Sequence, residues 1–212
     1  MEGRTCRLEA LSVTQHAAGL FAANRLEPTA RHWTYLSYGP FGTLEEYSAW
    51  VASVASGDDP LFYAVLDRET GQAVGVVSYL RIQPAAGCIE VGHIHYSPRL
   101  QRTVAATETM YLMMERAFAL GYRRYEWKCD ALNAPSRVAA QRLGFSFEGL
   151  FRQATVVRGR NRDTAWYAIT DTDWPALREA YQPWLDPANF DTGGQQRTRL
   201  SELTAPFVHQ RG

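Results

Sequence analysis

The chain contains 212 residues, 46% of them apolar, and its 22 Lys and Arg side chains balance 22 Asp and Glu side chains. The apolar fraction predicts a packed core and excludes a disordered chain, while the zero net charge gives no support to a nucleic-acid or membrane-surface partner. Three widely spaced cysteines and the lack of a long apolar run predict a cytoplasmic protein with no bound metal and no membrane span.

The first half of the chain carries alternating strand and helix signals. Strands are indicated by apolar residues at every second position, and helices by apolar residues three and four apart. The predicted elements are a strand over 5–11, a helix capped by Thr14 and ending near 24, an aromatic loop over 32–41, a helix from a Thr43–Glu46 capping box to about 57, strands over 61–66, 74–82 and 88–96, and a long helix over 103–120. The side chains expected to face the core from the capping-box helix are Leu44, Tyr47, Val51 and Val54.

The segment over residues 124–149 has the most specific local pattern. It predicts a strand, then a helix that Asn133 starts with Pro135 in its first turn, then a stop at Gly144 and a new strand. Val138, Ala139 and Leu143 form the expected apolar stripe of that helix. The last predicted elements are a strand over 162–170 and a short helix over 174–181.

Two short motifs in this segment, Asn133-Ala-Pro-Ser136 and Leu143-Gly144-Phe145, resemble the second half of the acetyl-CoA site in GNAT acetyltransferases. The resemblance covers residues 5–181 and is closest to the RimJ/RimL-like branch. It implies an α+β fold, the acyl-CoA N-acyltransferase fold, with a mixed, mostly antiparallel central sheet whose parallel strands splay apart between flanking helices. Residues 1–183 are expected to form the acetyltransferase domain, and the loop-rich residues 184–212 a C-terminal extension.

The resemblance places the coenzyme A pyrophosphate at the start of the long helix, where N–H groups and the helix dipole favour an anion. The residues expected to hold it are Gln101, Arg102, Thr103, Val104, Ala105 and Ala106. Only Ala105 fits the family's signature, since Thr103 stands where glycine is usual. Thr103 and Val104 are β-branched, so we expect a turn with ordinary φ values, to which Thr103 and Arg102 add hydrogen bonds and charge. A capped helix start without a ligand is the alternative.

The residue best suited as a general base is Glu90, which alternation places on one strand face with Gly92. An ion pair with an arginine such as Arg81 is the alternative reading of Glu90. His93 and His95 are second candidates and are expected on the opposite face.

The resemblance gives Ser136 the role of protonating the leaving thiolate, and Asn133 that of bonding the pantetheine amides. The alternative for Ser136 is an ordinary polar residue in the first helical turn, and the alternative for Asn133 is an N-cap. Trp33 and Tyr35 are the candidate substrate contacts, in a loop that either forms a wall of the acceptor site or folds onto the core.

These expectations combine into an acetyl-CoA-dependent N-acetyltransferase. Its acceptor is a primary amine of a small molecule or peptide: a protein N-terminal α-amine, an amino acid or a small amine. Transfer is expected by direct attack within a ternary complex, with acetyl-CoA as co-substrate, no metal, and a monomer or homodimer as the acting form. The alternatives are a non-catalytic acyl-CoA-binding module and an interaction domain that has lost the ligand.

Overall fold

The computed structural model describes all 212 residues and contains seven strands and six α-helices. The strands are β1 Cys6–Ala10, β2 Leu61–Asp67, β3 Ala73–Gln83, β4 Cys88–Tyr96, β5 Arg124–Asp130, β6 Ser146–Val157 and β7 Arg160–Thr170. The helices are α1 Val13–Asn24, α2 Leu44–Val54, α3 Val104–Ala119, α4 Ala134–Arg142, α5 Trp174–Leu185 and α6 Leu200–Thr204. The predicted α+β class is confirmed, and none of the helices combines the length and apolar character needed to span a membrane.

The chain divides into two compact units, one formed by Met1–Ile82 and Glu90–Met113 and the other by Gln83–Ile89 and Met114–Gly212. In the first unit the strands follow the order β1-β2-β3-β4, and β2 pairs antiparallel with both β1 and β3. In the second unit the order is β5-β7-β6, and β7 pairs antiparallel with both neighbours.

The helix starts of the first unit follow from local capping chemistry. The Thr43–Glu46 capping box is confirmed, because the Thr43 side chain accepts from the Glu46 N–H while the Glu46 carboxylate accepts from the Thr43 N–H. The predicted Thr14 cap is wrong, since the Ser12 hydroxyl accepts from the Gln15 N–H and α1 therefore starts earlier. Leu44 is exposed instead of facing the core, because it occupies the first position of α2.

The aromatic loop packs onto the core of α1, α2 and β2. Trp33 is buried in that core, and Leu36, Tyr38 and Phe41 pack against it. A Cβ atom at Gly39, which has a φ of 69°, would lie 2.3 Å from the Trp33 ring. Only glycine permits both the left-handed backbone and this close approach, so Gly39 holds the loop against Trp33.

A buried carboxylate on α3 holds the segment before β1. Glu108 accepts hydrogen bonds from the N–H groups of Arg4, Thr5 and Cys6 at 2.6–3.2 Å, and from the Thr5 hydroxyl at 2.5 Å. Burial alone would raise the pKa of Glu108, but the hydrogen bonds from Thr5 and its neighbours outweigh burial and lower it. The carboxylate is therefore the ionised acceptor for three backbone donors.

Replacing Glu108 by Gln is expected to lower the free energy of unfolding by about 2 kcal/mol, because an amide group takes over part of an all-acceptor site and the charge is lost. Urea unfolding at pH 7 measures the change. Glu115→Gln is the matched control on the same helix, since Glu115 lies in a half-exposed pair with Arg178 that contributes at most about 1 kcal/mol. Equal losses in both variants would contradict the anchoring role of Glu108.

The second unit contains the predicted strand–helix–strand segment. Asn133 caps α4, Pro135 lies in its first turn, and Gly144 follows its end with a φ of 96°. Val138 is exposed, contrary to the predicted stripe, whereas Ala140 is fully buried. A nine-residue helix presents only a narrow inner face, and Ala140 and Leu143 fill it.

The C-terminal segment is packed in the second unit. Helix α5 continues to Leu185, past the predicted end at 181. Leu200 and Thr204 are buried, and the Thr204 hydroxyl donates to the Arg142 carbonyl at 3.0 Å. The Phe147 N–H donates to the Gln210 carbonyl at 2.9 Å, so residues 200–210 are attached to α4 and β6.

Candidate active site

The middle of β4 places a buried carboxylate beside a glycine. Glu90 is 3% exposed, and a Cβ atom at Gly92 would lie 3.8 Å from its Oε1 atom. The same Cβ would lie 2.8 Å from the Leu80 side chain on β3. Glu90 and Gly92 therefore share a face of β4, as their spacing predicts, and the Leu80 side chain occupies the space that a Cβ at position 92 would need.

A left-handed residue, His93 with a φ of 49°, interrupts the alternation of β4. Gly92 faces Leu80, and Leu80 shares a face of β3 with Ser78. Phe62 on β2 is the direct cross-strand partner of Ser78, and the His93 ring lies 5.0 Å from the Phe62 ring. His93 consequently lies on the same face as Gly92.

The bulge carries His95 to this face as well, where its ring packs tilted against Trp33 with 3.7 Å between the centroids. The prediction that His93 and His95 lie opposite Glu90 is wrong. A single residue with positive φ adds one position to the two-residue repeat, so every later side chain changes face. Glu90, His93 and His95 thus belong to one face of β4.

Glu90 forms an ion pair with Arg81, whose Nη1 lies 2.7 Å from Glu90 Oε2. The carboxylate is buried, while the Arg81 side chain is 55% exposed. Arg81 has a φ of 48°, and its N–H donates to Asp59 at 2.8 Å. The predicted arginine partner is therefore present, and Asp59 holds the irregular end of β3 that presents it.

The two histidines are held neutral by their surroundings. Burial lowers the pKa of His93 to about 4, and the positive charge of Arg81 adds to that effect. Burial lowers the pKa of His95 to about 3, with a further contribution from His32. At pH 7 both rings are uncharged and offer a nitrogen lone pair.

A cavity of about 260 Å³ opens beside His93. Tyr38, Trp50 and Phe62 provide its aromatic wall, and its polar lining residues include Ser53, Asp59 and His93. Trp33 and Tyr35 do not line this cavity: Trp33 is buried behind His95, and Tyr35 is 37% exposed. Tyr38 is thus the loop residue that borders the cavity, and the substrate roles of Trp33 and Tyr35 stay predictions.

The turn before α3 does not use ordinary φ values, because Arg102 has a φ of 62°. The β-branched Thr103 avoids the strained position and caps α3 instead: its hydroxyl accepts from the Ala106 N–H at 3.1 Å and donates to the Leu100 carbonyl at 2.7 Å. The Gln101 side chain donates to the Tyr96 carbonyl at 2.7 Å. The expectations of an ordinary turn and of a Thr103 hydroxyl available to a phosphate are therefore wrong.

The start of α3 nevertheless fits an anion. The N–H groups of Val104 and Ala105 lie in the first helical turn and have no acceptor within the helix. The Arg102 side chain is exposed beside them. N–H groups at the positive end of a sixteen-residue helix, together with one guanidinium group, suit a pyrophosphate.

In the second unit, Asn133 and Ser136 meet in the first turn of α4. Asn133 Oδ1 accepts a hydrogen bond from the Ser136 N–H at 3.2 Å. The side-chain N–H groups of Asn133 take no part in this cap. Trp127 Nε1 donates to Ser136 Oγ at 3.0 Å. The hydroxyl thereby receives one hydrogen bond, and it also forms a side-chain hydrogen bond with Cys129.

The two buried cysteines, Cys6 and Cys129, are not activated as nucleophiles, and no metal site is formed. Burial raises the pKa of Cys129, and burial raises that of Cys6 to about 12, so neither is a thiolate at pH 7. No three His, Cys, Asp or Glu side chains come together as metal ligands.

Comparisons with known proteins agree on one family. Residues 7–146 match the family model described as the acetyltransferase (GNAT) domain. A crystal structure of a GCN5-related N-acetyltransferase from Brucella melitensis is 49% identical, with 96% of this chain and 93% of that chain covered and a TM-score of 0.94. A GNAT-family structure from Chromobacterium violaceum is 42% identical, with 82% and 87% covered and a TM-score of 0.77.

The ribosomal-protein α-N-acetyltransferase RimL has the same fold at 22% identity, with 79% of this chain and 91% of that chain covered and a TM-score of 0.68. No curated protein matches the chain significantly.

Proposed function

Because this chain belongs to the GNAT family of acetyl-CoA-dependent acetyltransferases, we propose that it acetylates a primary amine by direct attack on the thioester. The acceptor is a protein N-terminal α-amine, an amino acid or a small amine, as in the RimJ/RimL-like branch. The observation that carries the proposal is the face of β4 that Glu90 and Gly92 share with the neutral His93, since His93 lines an aromatic cavity.

This face suits an amine that needs only a modest base. An α-amino group has an ordinary pKa of about 7.7–8.0, so roughly a tenth of it is already neutral at pH 7. The Glu90 carboxylate and the uncharged His93 ring are proton acceptors on that face. The protonated thiols of Cys6 and Cys129 support direct transfer over a covalent acyl-cysteine.

When bound, acetyl-CoA supplies the activated acetyl group. The N–H groups of Val104 and Ala105 and the Arg102 side chain hold its pyrophosphate, and Asn133 holds its pantetheine amides. Ser136, oriented by Trp127, donates its proton to the departing thiolate. For this role the Ser136 hydroxyl has to exchange its hydrogen bond with Cys129 for one with the thiolate.

The proposal is tested by thiol release from acetyl-CoA with matched amines. We expect release with dipeptides that carry a free α-amine, and none with the same dipeptides after N-terminal acetylation. A rise in melting temperature with acetyl-CoA but no release across the panel would instead indicate a non-catalytic binding module. No shift at all would indicate an interaction domain, because ligand at 100 times its Kd stabilises by about 2.7 kcal/mol.

Two variants of Asn133 separate cofactor binding from helix capping. Asn133→Asp keeps an oxygen for the Ser136 N–H but removes the amide donors, whereas Asn133→Ala removes both. If the donors bind pantetheine, both variants weaken CoA affinity about fivefold to tenfold, the value of roughly one hydrogen bond. Calorimetry measures the affinity. Wild-type affinity in Asn133→Asp would reduce Asn133 to a cap.

A further inference from the structure

Strand β6 is an edge strand, and the second half of its outer edge is uncovered. In the second unit β6 comes last in the strand order and pairs only with β7. The C-terminal segment covers the start of the outer edge, where the Phe147 N–H donates to the Gln210 carbonyl at 2.9 Å. Every residue from Leu150 to Val156 is exposed. The edge of β6 therefore holds one extended segment at its start and faces solvent beyond it.

The turn between β6 and β7 determines which backbone groups of β6 point outwards. Arg158 and Gly159 have φ values of 51° and 73°, which define a two-residue type I′ turn. In such a hairpin the flanking residues, here Val157 and Arg160, exchange hydrogen bonds across the two strands. Because successive residues direct their N–H and C=O groups to alternate sides, those of Val156 point away from β7. Unpaired backbone groups of this kind are a template for an added strand.

Three apolar side chains lie along the same half of β6. Leu150, Phe151 and Val156 are 46%, 54% and 70% exposed. Phe151 stacks on Trp166 of β7 with 4.4 Å between the ring centroids, which holds its ring in place. Leu150 and Phe151 are neighbours in the strand, so their side chains project to opposite faces of the sheet. A strand added to β6 would therefore gain apolar contacts on both faces.

The hairpin is cationic, although the whole chain has no net charge. Residues 149–170 contain four arginines and one acidic residue, Asp163, which is a net charge of +3. Three of these arginines are exposed, namely Arg152, Arg158 and Arg160. A second copy of this chain would bring the same positive charge to the edge and be repelled, whereas an acidic segment would be attracted. The charge of the hairpin therefore selects an acidic partner.

We propose that the outer edge of β6, from Leu150 to Val156, binds an extended acidic segment of another protein as an added strand. The backbone of that segment pairs with the outward N–H and C=O groups of Val156, and its carboxylates form charge-assisted hydrogen bonds with the exposed arginines. Its apolar side chains cover Leu150 and Phe151. A nucleic acid would engage the arginines but would leave the backbone groups and the apolar side chains without partners. None of the residues proposed for acetyl transfer takes part in this docking.

Calorimetry on the full chain tests the edge with a short peptide of alternating Glu and Val. Its N-terminus is acetylated, so the peptide cannot serve as an acceptor for acetyl transfer. One control peptide carries Lys in place of Glu, and the other keeps Glu but carries Pro in place of Val, since Pro cannot donate to a strand ladder. We expect the Glu–Val peptide to bind about tenfold more tightly than either control, and its affinity to fall as the salt concentration rises.

Val156→Pro removes an N–H that points away from β7, so the variant should fold and bind the peptide about fivefold to tenfold more weakly. Val156→Thr keeps that N–H and should bind as the native chain does. Replacing Arg152 and Arg160 together by Gln should also weaken binding about tenfold and is decisive if the proline variant does not fold. Arg116→Gln, which changes an exposed arginine on α3, is the control and should have no effect.

Equal affinity for the Glu–Val peptide and its proline control would reduce the interaction to charge alone and overturn the proposal. Tighter binding of oligo(dT) than of the peptide would overturn it in favour of a nucleic acid. The third contrary result is a native chain that binds no peptide, together with an arginine double variant that self-associates. In that case the arginines serve only to prevent pairing between copies of β6.

Discussion

Lowering the pH from 7 to 5 is expected to reduce the free energy of unfolding by about 2 kcal/mol for each of His93 and His95. Their native pKa values, about 4 and about 3, lie below the ordinary value of 6.5. The unfolded chain therefore binds protons below pH 6.5 that the native chain does not. Their stabilising contribution is complete above pH 6.5 and is lost as the pH falls towards the native values.

Denaturant unfolding at several pH values measures this loss. Carboxylates with lowered pKa, such as Glu108, lose their contribution mainly as the pH falls below the ordinary value of 4.5, so pH 7 to 5 reports mostly on histidines. His95→Phe keeps an aromatic ring against Trp33 and removes one titrating group. It should therefore remove about half of the loss that His93 and His95 cause together, while His32, whose pKa burial also lowers, adds to the loss in both proteins. A stability that is constant from pH 7 to 5 would refute this account of the buried rings.

Glu90→Gln is expected to lower kcat about 100-fold while CoA affinity stays close to that of the native protein. The amide keeps the size of the carboxylate on the face shared with Gly92 and His93, but it cannot accept the amine proton. Steady-state kinetics on a dipeptide acceptor measure kcat, and calorimetry measures the affinity for CoA.

Arg81→Gln is the control that separates proton transfer from ion pairing. If Glu90 is the base, this variant leaves its carboxyl group in place, and kcat falls by less than about tenfold. If Glu90 serves only to hold Arg81, the two variants have equal kcat, because each removes one partner of the same ion pair. That second result would remove Glu90 from the mechanism.

Local sequence signals predicted the parts of the fold in which neighbouring residues complete the structure by themselves. The Thr43–Glu46 box and the Asn133, Pro135 and Gly144 pattern place α2 and α4, because every partner lies within a few residues. Alternation also placed Glu90 beside Gly92.

The errors arise where the backbone leaves the regular regions. His93 and Arg102 adopt positive φ values, which histidine and arginine rarely do. The sequence therefore could not predict on which face of β4 the histidines lie, or the shape of the turn before α3. Tyr38 lines the cavity beside His93, and Asp59 accepts a hydrogen bond from the Arg81 N–H. Both contacts depend on how distant parts of the chain pack together. No pattern of spacing in the chain contains that information.

The bulge at His93 also changes which residue numbers, even or odd, face each side of β4. Before it, the even-numbered positions 90 and 92 face α1 and α2; after it, the odd-numbered positions 93 and 95 do. Deleting one residue here would restore a uniform two-residue repeat. The side chains of one half of the strand would then point to the opposite face of the sheet. In alignments of related chains, a substitution in this strand therefore has to be assigned to a face by counting from the bulge, separately on each side.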